Sequence, residues 1–165
     1  MLEQKSVTKI ILLYLFVIFL TILNLSNIKI SGFSDIMPLF DLMAVFYFAI
    51  LKDKFGLWFI FFIGLWGDAL NGNILGLTSL CYIILIRLFM LFNNRILVRE
   101  NFIQIWQQFM VFCFLFLLMK WIVFAIINVK SIGVFSLIIQ LILSSFCYVL
   151  MHVLFDYLSE KLLGE

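Results

Sequence analysis

A chain of 165 residues that is 66% hydrophobic and only 12% charged lacks the polar surface a soluble domain of this size requires, because ordinary globular proteins are about half apolar and a quarter charged. The formal net charge of +2 is too weak and too scattered to form a footprint for nucleic acid. At about 20 residues per crossing, five or six spans consume nearly the whole length, so residues 1–165 read as a single transmembrane domain with no soluble catalytic or binding domain.

Backbone polar groups in lipid must be satisfied internally, which leaves helices or a closed barrel. The apolar runs here are continuous rather than alternating, so the expected fold is an all-α membrane protein, a bundle of six transmembrane helices. The first helix falls at about residues 10–26, behind Lys5 and Lys9. It has the outline of a secretory leader, but the first alanine is Ala44 and the small-residue cleavage signature is missing, so it reads as an uncleaved helix.

The second helix, at about residues 36–51, opens around the single proline, Pro38, which a first helical turn tolerates. The third and fourth helices, at about residues 55–70 and 74–92, follow the tight turns Lys52-Asp53-Lys54 and Asn71-Gly72-Asn73. Turns this short make neighbouring helices antiparallel, and Asn and Gly accept the left-handed backbone they need. Helices two and three are short for full spans. The fifth helix, at about residues 102–128, comes after the longest internal loop, Asn93–Asn101, and the sixth lies at about residues 133–157. Cys81, Cys113 and Cys147 all sit inside apolar runs and suggest neither a disulfide framework nor a metal pair.

With six crossings and an inside N-terminus, Lys5, Lys9, Lys52, Lys54, Arg95, Arg99 and Lys161 share one side, against Lys29 and Lys130 on the other. That bias predicts a cytoplasmic location for both termini. Trp58 and Trp106 then fall near the inner interface and Trp66 near the outer one.

Few polar residues remain to be explained. Gly64, Asp68, Gly72 and Gly76 recur at intervals of four, a spacing of small residues that permits close helix approach in lipid. Asp68 would occupy the last turn of helix three, where the helix dipole disfavours an acid. A donor must compensate it, and the free N–H groups at the start of helix four, around Asn73–Gly76, are the nearest candidates. The stretch is then a hairpin lock; the alternative makes Asp68 part of a polar pocket or a partner surface. Asp41 lies one turn into helix two, and Lys120 lies inside helix five, about 12 Å from the end at Asn128. Lys120 either pairs with Asp41 or Asp68, as intramembrane charges usually do, or snorkels to the headgroups. Arg87 reads as snorkelling to anionic lipid. His152 and Asp156 share a face of helix six, either as a structural pair or as a proton shuttle. Gln104, Gln107, Gln108, Gln140, Ser144 and Ser145 can serve as interhelical glue or line a groove. No Walker loop, HExxH, GxSxG or paired catalytic carboxylates occur, so no enzyme activity, cofactor or metal is expected.

Asp41-Leu-Met-Ala-Val-Phe-Tyr-Phe, the short charged turn after it, the Gly64, Asp68, Gly72, Gly76 series and Trp106-Gln-Gln together resemble the MreD family of rod shape-determining membrane proteins. The resemblance covers most of the chain and is specific over residues 38–80. The family often has its proline directly beside the polar residue of helix two, whereas Pro38 precedes Asp41 by three. It implies a non-enzymatic scaffold of the cell-elongation complex, working with MreC, MreB, RodA and an elongation-specific penicillin-binding protein. It also implies a fold like that of the substrate-binding subunits of energy-coupling-factor transporters. A transporter subunit of that type is the competing function, with Asp41, Asp68, Lys120 and Gln140 as material for a ligand pocket. Such subunits commonly use an Ala-x-x-x-Ala surface on helix one, and helix one here has no alanine.

Overall fold

The computed structural model describes residues 2–24, 37–96, 101–127 and 134–163, and among these the structure is helical with no strand. Six helical segments follow in order: α1 (Leu2–Leu23), α2 (Phe40–Val45, continuing as a π-helix over Phe46–Leu51), α3 (Leu57–Asn71), α4 (Leu77–Ile96), α5 (Phe102–Ile127) and α6 (Val134–Leu163). Two of them, α5 and the stretch Val134–Lys161 of α6, are long and apolar enough to cross a membrane, while α2 and α3 are shorter apolar helices.

The helices agree with the hydropathy reading in number and order but differ at several ends. Helix α1 begins eight residues before residue 10, and α6 runs six past residue 157. Both extensions are built from strong helix formers such as Leu, Glu, Gln and Lys, which end the apolar run without ending the helix. Helix α4 likewise continues to Ile96, into the stretch expected as loop. Pro38 does not sit in a first turn. Residues 37–39 are non-helical, α2 starts at Phe40, and the proline belongs to its extended lead-in. Residues 25, 26, 36, 97–100, 128 and 133, on which other expected boundaries fall, lie outside the described residues.

Helix α2 occupies the centre. Every side chain from Asp41 to Leu51 is buried, as expected for a helix surrounded on all sides. Helices α1 and α6 contact its α-helical half and α4 its π-helical half. Phe46 alone meets Phe89 of α4, Phe109 and Phe112 of α5 and Tyr148 of α6, at ring-centroid distances of 5.3–6.4 Å. Phe48 packs on Phe55 and Phe155, each at 5.3 Å. If the bundle lies in lipid, whose tails are as apolar as these rings, close packing and polar contacts rather than escape from water hold the helix in place. Tilted and edge-to-face aromatic pairs supply about 0.5–1.5 kcal/mol each beyond their buried area.

The π turn closes with Lys52 N–H donating to Tyr47 O at 3.1 Å, a five-residue return. Its wider turn inserts one residue and rephases the side chains that follow. Ahead of it Asp41 faces α1 and α4, while Tyr47, within it, reaches α6.

Candidate functional site

The polar residues gather at three places, all on or beside the buried helix and the α3–α4 hairpin. In the hairpin, the carboxylate of Asp68 is fully buried and accepts from the Thr78 backbone N–H at 2.8 Å and from the Thr78 hydroxyl. Thr78 is the second residue of α4, so its N–H is one of the donors a helix start leaves free. A carboxylate also complements the positive end of the helix dipole there. The donor therefore lies two residues beyond Asn73–Gly76. Those residues form the turn itself, and α4 does not begin until Leu77. Asn73 N–H donates instead to the main-chain carbonyl of Asp68 at 3.0 Å.

The four-residue series splits into two functions. Gly72 closes α3 in the left-handed region with φ +62°, the usual termination that a Cβ would strain. Gly76 has φ +90°. Gly64 instead permits contact: a Cβ there would lie 2.6 Å from the Cα and N of Ser79 on α4. Ser79 in turn donates its hydroxyl to Phe61 O at 2.8 Å, and Asn71 Nδ2 donates to Gly67 O at 2.8 Å.

Around α2, Asp41 accepts from Asn24 Nδ2 of α1's end, from Tyr82 OH of α4 at 2.7 Å and from the Leu42 N–H at 2.9 Å. Asn24 Oδ1 accepts from the Phe40 N–H at 3.3 Å. Helix α6 holds the lead-in to α2: Ser144 Oγ accepts from the Leu39 N–H at 3.1 Å, and Gln140 Nε2 donates to Met37 O at 3.1 Å. One short segment is thus tied to three helices.

Lys120 joins neither acid in an ion pair. Its ammonium lies over the Phe116 ring at 5.7 Å, and Phe116 stacks on Tyr82 at 5.2 Å, so two rings separate it from Asp41. Neutral and backbone donors already satisfy both carboxylates, which removes the need for a cation. Trp106, expected at an interface, turns its indole N–H inward to Ser145 O of α6 at 3.0 Å. Trp58 and Trp66 are exposed.

The third place is a cavity of 460 Å³ lined by Tyr47, Leu51, Lys52, Phe102, Ile105, His152 and Asp156. Tyr47 OH donates to Asp156 Oδ1, and His152 Nδ1 stands 3.6 Å from Asp156 Oδ2. A separate cleft of 220 Å³ between α5 and α6 is wholly apolar, with Phe114, Trp121 and Leu141 among its walls. Among the described residues no three His, Cys, Asp or Glu side chains converge to hold a metal ion.

Sequence reasoning missed Asn24, Thr78, Tyr82 and Tyr47 as partners of the acids. Thr78 carried a usable signal, a hydroxyl residue in the first turn after Gly76. Asn24, Tyr82 and Tyr47 carried none, since each is brought to its acid by helix packing.

In comparisons with known proteins, the family model for the rod shape-determining protein MreD matches residues 4–162. No curated protein and no solved structure matches the chain.

Proposed function

From the premise that the chain belongs to the MreD family of rod shape-determining membrane proteins, we propose that it is a non-enzymatic, multi-pass scaffold of the cell-elongation complex. In this reading all six helices cross the cytoplasmic membrane as one domain, in the manner of energy-coupling-factor substrate-binding subunits. Both termini are cytoplasmic, on the strength of the seven-to-two distribution of basic residues. The protein couples MreB filaments to peptidoglycan synthesis by contacts with MreC, RodA and an elongation-specific penicillin-binding protein.

The family match over nearly the whole chain carries this reading. Two features of the molecule support it. Large apolar side chains such as Phe62, Leu91, Ile126, Phe146 and Leu150 project from the helices, offering surfaces for partner helices. Asp41, Asp68 and their partners face inward and fix α2 and the α3–α4 hairpin, which suits a rigid assembly part. Depletion with microscopy and affinity recovery tests the proposal. Depleted cells should lose rod shape and localised wall insertion, and MreC should be recovered with the tagged protein. Normal shape together with no recovery of MreC would refute it.

A further inference from the structure

The cavity between the π turn, the start of α5 and α6 has the chemistry of a binding site that the scaffold reading leaves unused. It holds one cation and one anion, Lys52 and Asp156. Among the described residues Lys52 forms no ion pair of its own. Asp156 has one oxygen occupied by Tyr47 OH and remains 54% exposed on its side chain. His152 is only 7% exposed, yet its Nδ1 has no hydrogen-bond partner, since 3.6 Å to Asp156 is beyond hydrogen-bonding reach. Such a buried polar atom is costly unless something satisfies it. The stacked Phe102 and His152 rings, 5.0 Å apart, and the side chains of Leu51 and Ile105 supply apolar walls.

The depth of the cavity narrows the ligand. Asp156 lies 22 residues beyond Val134 on one continuous helix, about 33 Å along its axis at 1.5 Å per residue. The hydrocarbon core of a bilayer is about 30 Å thick. Phe102 is the first residue of α5, the other long apolar helix. If α5 and α6 cross the membrane, as their length and composition allow, the cavity opens at the headgroup layer. We propose that it binds a zwitterionic aminoalkyl phosphate, presented as the headgroup of phosphatidylethanolamine. The phosphate accepts from the Lys52 ammonium, and the primary ammonium donates to the free oxygen of Asp156, whose carboxylate lies beside the buried His152 ring. Phosphatidylglycerol carries the same phosphate but no cation for Asp156, so its negative charge is left uncompensated beside the carboxylate. Phosphatidylcholine carries a quaternary ammonium that has no N–H to donate.

The proposal rests on the membrane reading but not on the cell-elongation role, and its test uses purified full-length protein rather than cells. Delipidated protein in detergent is offered phosphatidylethanolamine, phosphatidylglycerol and phosphatidylcholine with identical acyl chains, and retention is read by native mass spectrometry. Phosphatidylethanolamine should be retained roughly tenfold over the other two, the scale of one charge-assisted hydrogen bond. Asp156→Asn should abolish that preference and raise phosphatidylglycerol retention. Lys52→Gln, in a partly exposed turn outside the core, should lower retention of both. Thermal unfolding of each variant reports its folding, and Lys52→Gln keeps the test decisive should Asp156→Asn be unstable. Competition by soluble glycerophosphoethanolamine at equal concentration would support the chemistry and assign the free compound as ligand. Equal retention of the three lipids, or a ranking untouched by both variants, would overturn the proposal. Retention of none would also overturn it, and would leave the cavity for a side chain of a partner protein.

Discussion

The close approach of α3 to α4 at Gly64 tests the packing of the hairpin directly. Gly64→Ala would place a Cβ 2.6 Å from Ser79 Cα and N and 2.8 Å from its hydroxyl. Two of those atoms are main chain and cannot rotate away, so α3 and α4 must separate by about 1 Å to restore contact distance. Overpacking of this kind costs about 1–3 kcal/mol. The gain in helix propensity from Gly to Ala, about 1 kcal/mol, offsets part of it and leaves a net loss of about 0–2 kcal/mol. Gly67→Ala, three residues on in the same helix, has the same propensity gain but meets only Thr21 Cγ2 at 3.6 Å, an ordinary contact. It should therefore be neutral or stabilising by up to about 1 kcal/mol. The assay is reversible unfolding of the purified protein in mixed micelles, following tryptophan fluorescence. Separation of the helices should also weaken the Ser79 to Phe61 hydrogen bond, so a Gly64→Ala, Ser79→Ala double variant should lose less than the sum of the two. If Gly64→Ala proves as stable as Gly67→Ala, the close approach of α3 to α4 is wrong.

Three further outcomes follow from the polar contacts. Thr78→Val keeps the side-chain shape and the backbone N–H but removes the hydroxyl donor to buried Asp68; it should cost about 1–3 kcal/mol in the same unfolding assay, with Thr78→Ser restoring most of it. Tyr82→Phe strips one donor from Asp41 while leaving Asn24, and should cost about 1–3 kcal/mol; a stability equal to the parent would mean that Asp41 does not depend on α4. Gly72→Ala meets no neighbouring atom yet must hold φ at +62°, so it should lose about 1–2 kcal/mol through backbone strain alone, and Gly72→Asn should lose less.

Some of this architecture was legible before any coordinates. Continuous apolar runs marked six helices in their order, and Asn71-Gly72-Asn73 marked the hairpin turn where Gly72 takes up its left-handed backbone. The need of Asp68 for a donor near the start of α4 also followed from local rules of helix ends, with Thr78 as the donor found. These properties depend on residues close together in the chain. The helix ends at Leu2 and Leu163 were less visible, because hydropathy reports where apolar character stops and not where the helix does.

Tertiary structure alone decided which helix lies in the middle. In a soluble protein a buried helix stands out by its apolar faces, but in lipid the outward face of a helix is as apolar as the inward one. Residues 42–51 therefore read no differently from the exposed stretches of α5 or α6. The π turn at Phe46–Leu51 has no proline or glycine to announce it; it is the way this run of bulky side chains fits between α4 and α6. From it follow the contact of Tyr47 with Asp156 and the cavity beside His152. Of the two readings of Lys120, pairing with an acid is not the one the structure holds, for a related reason. Charge proximity suggested Asp41 or Asp68, but helix packing had already delivered Asn24, Tyr82 and Thr78 to those carboxylates.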